Sequence, residues 1–333
     1  MTWIESHLNH LGTSTLEYWS KKLKGKSYRM AFLLTKVVEM IAFKLSHKSV
    51  KSLELREFLQ FPPPKPNAIN SDSKIAMVVP AYVSSKEDET RLMNLIGSST
   101  RQSRKFDRIY VVDDSSSFSY KLPSHVTVIR KKSRSGPAAS RNIGKSIAIQ
   151  EGIDIIFYTD SDCVLSPDIA SCIIDSFMRE KDYQILSGKT VSKDYKWFDK
   201  YHDINGTLNG RRIRGEDRLL YGPTCNLAIT REVALNLDFD ESFPDAASED
   251  IEFCFRANMN GYVIKHIPSM IVYHDFGYTG NYLFDLIKFM KKFMKYAKYN
   301  SLLISKIPDY YHYYSMSMEI SNENTLLEKL VPY

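Results

Sequence analysis

The sequence predicts an α/β fold built on a parallel sheet, with helical extensions at both ends. Three observations carry this. Short apolar runs without alternation stand at 75–79, 109–112, 126–129 and 153–158, as expected of strands buried on both faces. Helix-length segments lie between them at 86–99 and 137–150, the second with Pro137 in its first turn. Strand and helix therefore alternate, which is the signature of an α/β sheet. Each of three runs also ends on polar or small residues: Pro80-Ala81-Tyr82, Asp113-Asp114 and Asp160-Ser161-Asp162. Ligands of such sheets sit at the carboxyl ends of the strands, so the chemistry is gathered where the fold would place it.

The elements divide the chain as follows. Residues 1–60 read as a helical extension, with Met30, Leu34, Val37, Ile41 and Leu45 forming an apolar stripe. A proline run and a polar stretch over 61–73 read as a linker. The sheet-bearing region spans 74–275, and 276–333 reads as a second helical extension. There, Leu283, Ile287, Met290, Met294 and Ala297 recur at helical spacing, and Lys288, Lys291, Lys292, Lys295 and Lys298 mostly take the other side. Two readings stand for this helix: a membrane-surface helix, or one packed on the rest of the chain with its lysines in water. Tyrosines at 309–314 suit stacking on sugar rings or aromatic packing.

Composition narrows the function classes. Of 333 residues, 43% are apolar and 25% charged, which excludes a disordered chain and a polytopic membrane protein. The net charge is +6, yet residues 1–60 hold ten Lys/Arg against five Asp/Glu, leaving only +1 for the remainder. A nucleic-acid partner is not indicated. Cys163, Cys172, Cys225 and Cys254 fit no zinc spacing and read as free thiols of a reducing compartment. The best membrane-span candidate, 30–43, carries Lys36 and Glu39 and falls short of about 20 apolar residues. With no signal peptide read either, a cytoplasmic chain is expected, at most peripheral to a membrane through its terminal helices.

Five groups of residues can carry chemistry. Asp160 and Asp162, one residue apart at a strand end, can share a hard divalent cation; the alternative is a solvated turn. Asp113 and Asp114 can accept from a base imide or a ribose hydroxyl, or serve a helix cap or turn. Gly136 opens a helix whose amides, with Arg141, could face a phosphate. Ser248-Glu249-Asp250 starts a helix with Ser248 as cap; a carboxylate there can act as general base, or simply suit the helix dipole. His274 follows an apolar stretch and offers an imidazole for a metal or for a structural hydrogen bond.

The order of these groups is more specific than any one of them. Val78-Val79-Pro80-Ala81-Tyr82, Val111-Val112-Asp113-Asp114, Gly136 with Arg141-Asn142, Thr159-Asp160-Ser161-Asp162, Gly222 before Asn226-Leu227-Ala228-Ile229, Ser248-Glu249-Asp250 and His274 resemble glycosyltransferase family 2. The resemblance implies the A-type glycosyltransferase fold: a Rossmann-like donor-nucleotide half, here 74–165, fused to an acceptor half, here 166–275. It implies donor contacts from Pro80, Ala81, Tyr82, Asp113, Asp114, Gly136, Arg141, Asp160, Ser161 and Asp162. It implies Mn²⁺ or Mg²⁺ held by Asp160, Asp162 and His274, with Asp162 the direct ligand and Asp160 nearer the ribose or sugar. Asp250 matches the catalytic base and Glu249 its support. Tyr221, Gly222, Pro223 and Thr224 match a loop between donor sugar and acceptor. The implied reaction is inverting transfer from a nucleotide-sugar, with UDP the usual carrier, to a saccharide, lipid-linked glycan or peptide. Departures are the turn Asp113-Asp114-Ser115-Ser116, Thr230-Arg231 in place of a basic pair, and no Gln-x-x-Arg-Trp signature of processive synthases. A nucleotidyltransferase would want a Gly- and Lys-rich loop where Val83-Ser84-Ser85-Lys86 stands. A non-catalytic sugar-nucleotide-binding scaffold would be expected to have broken acidic motifs, and both are intact.

Overall fold

The computed structural model describes residues 61, 66–213, 216–308, 310–315 and 317–319. The expected N-terminal helix lies outside these residues, as do 62–65 of the proline run. The elements in order are β1 (Ile75–Ala81), α1 (Lys86–Thr100), β2 (Arg108–Asp113), β3 (Thr127–Arg130), α2 (Gly136–Gln150), β4 (Ile155–Tyr158), β5 (Cys163–Leu165), α3 (Ile169–Arg179), β6 (Ile185–Ser192), α4 (Trp197–Asn205), β7 (Arg211–Ile213), β8 (Leu219–Tyr221), β9 (Leu227–Thr230), α5 (Arg231–Asn236), α6 (Glu249–Met259), β10 (Ile264–His274), α7 (Tyr282–Lys306) and α8 (Tyr310–Ser315). A 3₁₀ turn over Thr224–Asn226 precedes β9.

An eight-stranded sheet runs β3-β2-β1-β4-β9-β6-β10-β5. Its first four strands are all parallel, and β9 enters antiparallel between β4 and β6. Beyond it β10 lies parallel to β6, and β5 antiparallel to β10. The expected α/β sheet is thus present, and its parallel half is the one the apolar runs foretold.

Strand β1 shows why those runs have no alternation. Ile75, Met77 and Val79 face a core with Leu92, Leu95 and Ile96 of α1 and Ile173 and Phe177 of α3. Ala76 and Val78 face a second core with Ala138 of α2, Val233 of α5 and Phe253 of α6. Both faces are covered, so every residue must be apolar. The run at 126–129 breaks this expectation: β3 is exposed at Thr127, Val128 and Arg130. It pairs only with β2 at the sheet edge, where half of its surroundings are water.

The stretch 67–73 is not a free linker. Asn67 is buried and its side-chain amide donates to the carbonyls of Phe177 (3.2 Å) and Tyr183 (2.8 Å), satisfying orphan groups at the end of α3.

Phe61–Gly280 form one compact unit, and Asn281–Ser317 belong to another. In the latter, the expected helix forms as α7, but its predicted apolar stripe is not the packed face. Leu283, Ile287 and Met294 are 66%, 48% and 50% exposed, whereas Phe289, Phe293, Tyr299, Leu303 and Ile304 are buried. The tyrosines of α8 take the packing option: Tyr310 and Tyr313 are buried, and the rings of Tyr310 and Tyr314 lie 5.9 Å apart. Among the described residues no helix is long and apolar enough to cross a membrane.

Candidate active site

The polar strand ends gather at the carboxyl end of the parallel strands. The Asp114 amide donates to the Ala81 carbonyl (2.7 Å), tying the ends of β1 and β2 together. Both aspartates that follow β2 are already engaged. Asp113 Oδ1 accepts from the Ser116 amide (2.7 Å), and Arg130 Nε lies 3.0 Å from its Oδ2. Asp114 accepts from Lys131 Nζ (2.5 Å) and from the amides of Ser135 and Gly136 (2.9 Å each). Asp114 therefore caps the start of α2 with its own charge, the anion-binding role that the sequence offered to a phosphate.

Only glycine fits where α2 opens, against the Pro244 backbone. The φ of Gly136 is +87°, and a Cβ there would lie 2.2 Å from the Pro244 carbonyl oxygen.

Arg141, one turn into α2, is expected at a donor phosphate. The structure turns it inward: it is 1% exposed, and its guanidinium donates to Glu249 Oε1 (2.7 Å) and Asp160 Oδ1 (3.0 Å). The fork joins the Asp-x-Asp turn after β4 to the acidic start of α6. Burial opposes its charge, but Glu249 and Asp160 together outweigh that and raise its affinity for the proton. Glu249 is itself buried, and its Oε2 has no hydrogen-bond partner. A buried acceptor with spare capacity is unusual away from functional sites.

Asp250 is half-buried at the first turn of α6. Its Oδ1 accepts from the Ile251 amide (2.9 Å), and its Oδ2 lies 3.4 Å from the Thr224 amide. Burial first, then the Glu249 charge, push its pKa up to about 7 against the opposing Arg141 charge. Ser248 occupies the cap position but makes no side-chain cap bond, because its backbone is left-handed (φ +69°).

The loop Tyr221-Gly222-Pro223-Thr224 is set beside Asp250 by α6. Gly222 and Cys254 exchange two contacts of 3.5 Å, and a Cβ at Gly222 would lie 2.4 Å from Ser187. Gly222, Pro223 and Thr224 are buried and Tyr221 half-buried.

Asp162 and His274 meet on the other side of the turn. His274 Nε2 is 3.3 Å from Asp162 Oδ1, and the Asp275 amide donates to the Asp162 carbonyl (2.9 Å). Asp162, Cys163 and His274 offer ligand atoms within 4.8 Å of one another. Cys163 is a poor member, since burial pushes its thiol well above its ordinary value. A carboxylate and an imidazole remain, a donor set that fits a hard to borderline divalent ion such as Mn²⁺ or Mg²⁺. Asp160 sits on Arg141 rather than in this group, and Ser161 lies half-exposed between the two aspartates. The His274 ring packs on Phe276 (4.6 Å), which stacks on His202 (4.1 Å), whose Nε2 is 2.7 Å from the Tyr278 hydroxyl.

Several residues at the site carry no motif. Arg134 stacks its guanidinium over the Tyr82 ring at 4.1 Å, and Lys131 holds Asp114. The basic run Arg130-Lys131-Lys132-Ser133-Arg134 was the available signal. His202 gave none. Arg231, of the expected basic pair, is structural, donating to the carbonyls of Ile149 (2.8 Å) and Ile153 (3.1 Å).

The glycosyl transferase family 2 profile matches residues 77–236, which hold the strand ends, Arg141, Asp160 and Asp162. This segment is a glycosyl transferase family 2 domain. The family 2 domain is a glycosyltransferase. The eight-stranded sheet has its parallel half β3-β2-β1-β4 continuing into a mixed half, as the family resemblance leads one to expect. Among solved structures the chain is similar to S. aureus TarS 1–349, at 16% identity and TM-score 0.47, with 71% of this chain and 73% of that one covered. The same protein in complex with UDP matches at 16% identity and TM-score 0.47, covering 78% and 75%. GalNAc-T7 with UDP, GalNAc and Mn²⁺ matches at 15% identity and TM-score 0.47, covering 78% and 54%. Among curated proteins no sequence match is found.

Proposed function

We propose that the family 2 domain transfers a sugar from a nucleotide-diphosphate donor, a UDP-sugar, to an acceptor hydroxyl in a single displacement with inversion. One observation carries the reading. The Arg141 guanidinium holds Glu249 and Asp160 at once, so the acidic start of α6 and the Asp-x-Asp turn belong to one site.

Asp250 is the general base. A carboxylate with a pKa of about 7 is ionised in a large fraction near neutral pH and still basic enough to take a proton as the acceptor oxygen attacks. Such help is worth roughly 10²–10⁴-fold. Glu249, fixed by Arg141, positions Asp250 and raises its basicity. The loop from Tyr221 to Thr224 borders the base and separates donor sugar from acceptor. Asp162 and His274 would hold Mn²⁺ or Mg²⁺, which when bound offsets the charge of the departing diphosphate. Asp160 faces the ribose or sugar, and Tyr82, with Arg134 stacked on it, borders the base. The acceptor is a saccharide, a lipid-linked glycan or a peptide. A nucleotidyl-transfer reading finds no support in the loop after β1. Val83 is buried, Ser85 caps α1 by accepting from the Asp88 amide (3.2 Å), and Lys86 pairs with Glu89.

The test is a thermal-shift panel of UDP-, GDP-, CDP- and dTDP-sugars, each with Mn²⁺ and with EDTA. A ligand at 100 times its dissociation constant adds about 2.7 kcal/mol, a readable shift. A metal-dependent shift confined to UDP-sugars is expected, and no shift with any donor would overturn the reading.

A further inference from the structure

Helix α7 has two apolar faces, one buried and one exposed. Phe289, Phe293, Tyr299, Leu303 and Ile304 are buried on the first. The second stands open. Among the described residues eleven large apolar side chains are exposed, and five of them, Tyr282, Leu283, Phe284, Ile287 and Met294, lie on this helix. Scattered exposed apolar residues are ordinary, but a concentration along one helix marks an interaction surface.

The charge beside this row selects the occupant. Lys288, Lys291, Lys295 and Lys298 recur at steps of three and four, so they line one flank of the row formed by Phe284, Ile287 and Met294. Lys288, Lys291 and Lys298 are exposed and Lys295 is half-buried. Over Tyr282–Lys306 six lysines face a single Asp285. A second copy of this helix would bring lysine against lysine. Residues 1–60 carry ten Lys/Arg against five Asp/Glu and are likewise of the wrong sign. An apolar row bordered by long, flexible cations instead matches a bilayer surface, with acyl chains below and anionic headgroups at the rim.

We propose that α7 docks the protein on an acidic lipid surface, lying in the plane of the interface with Leu283, Phe284, Ile287 and Met294 inserted and the lysine flank on the headgroups. The surface is independent of the donor reading, since none of these residues belongs to the candidate active site.

The experiment uses the full chain and vesicles of phosphatidylcholine alone or mixed equally with phosphatidylglycerol. Co-sedimentation is expected with the acidic vesicles only and is expected to weaken with salt. Phe284→Ser/Ile287→Ser and Lys291→Glu/Lys298→Glu should each lower binding at least tenfold, with circular dichroism and thermal midpoint close to those of the parent chain. A polarity-sensitive dye on Ile287→Cys, in a Cys172→Ser background, reports who covers the face. Its emission should match that of an exposed dye in buffer and shift to the blue only with acidic vesicles. Three results would overturn the proposal. One is a dye already shielded in buffer at all dilutions, which means that the chain covers its own face. The second is shielding that grows with protein concentration as light scattering reports a dimer. The third is vesicle binding unchanged in both variants.

Discussion

Replacing Asp250 by Asn tests the electrostatics of the candidate site without any knowledge of its substrates. A carboxyl whose pKa is about 7 when folded and 3.8 when unfolded binds more protons in the native state than in the unfolded one between those values. Stability must therefore fall as pH rises from about 4 to about 7 and stay low above that. At pH 5 the native group is protonated while the unfolded one has mostly ionised, a loss of about 2 kcal/mol. At pH 8 the loss reaches about 4 kcal/mol, so the two pH values differ by about 2–3 kcal/mol. Solvent access to a half-buried group trims this to about 1–3 kcal/mol. Asparagine does not titrate, so Asp250→Asn should be stabilised relative to the parent chain, and by more at pH 8 than at pH 5. Urea unfolding at the two pH values measures both differences. The same variant should lose transfer while still binding donor. An equal effect of the substitution at pH 5 and pH 8 would refute the raised carboxyl, and near-normal turnover would refute its role as base.

Two further outcomes test how the site is held together. Arg141→Met leaves Glu249 buried and unpaired beside Asp250, so it should destabilise by roughly 3–5 kcal/mol; Arg141→Met/Glu249→Leu should recover part of this, both read from urea midpoints. Gly136→Ala forces a side chain onto the Pro244 carbonyl at φ +87°, whereas Gly152, at φ +72°, has nothing within 4 Å of an added Cβ. The first should cost several kcal/mol and the second only about 1–2 kcal/mol of left-handed strain, so thermal midpoints should separate them clearly.

The parallel half of the sheet was legible because burial on both faces leaves no charged residue in β1, in Ile109–Val112 of β2 or in β4, and charged residues stand where β2 and β4 end. Strand β3 carries a similar composition at an edge, which composition alone does not reveal. The acidic pairs were legible as motifs, but their partners were not. Arg141 and Glu249 are 108 residues apart, and Asp114 caps a helix that begins 22 residues later. Such pairings arise from topology. Which of the two readings of α7 applies was not legible for a related reason. Its aromatic residues and its aliphatic stripe are both apolar at helical period, and periodicity cannot say which of two such faces is packed.

The two acidic pairs also share a backbone feature that motif reading does not see. Among the described residues only Ser115 (φ +62°) and Ser248 (φ +69°) adopt a left-handed backbone without being glycine. Ser115 directly follows Asp114, and Ser248 directly precedes Glu249. A serine held there costs about 1–3 kcal/mol, and the fold bears it only where surrounding contacts over-determine the chain. Those contacts are on view: Asp114 is gripped by two amides and Lys131, and Glu249 by Arg141. The buried Glu249 acceptor, the raised Asp250 carboxyl and the inward Arg141 are further departures from what stability alone would select. They fall together at the carboxyl end of the parallel strands and the start of α6. Stability can be lost there because something other than stability is gained, as the general-base role proposed for Asp250 requires.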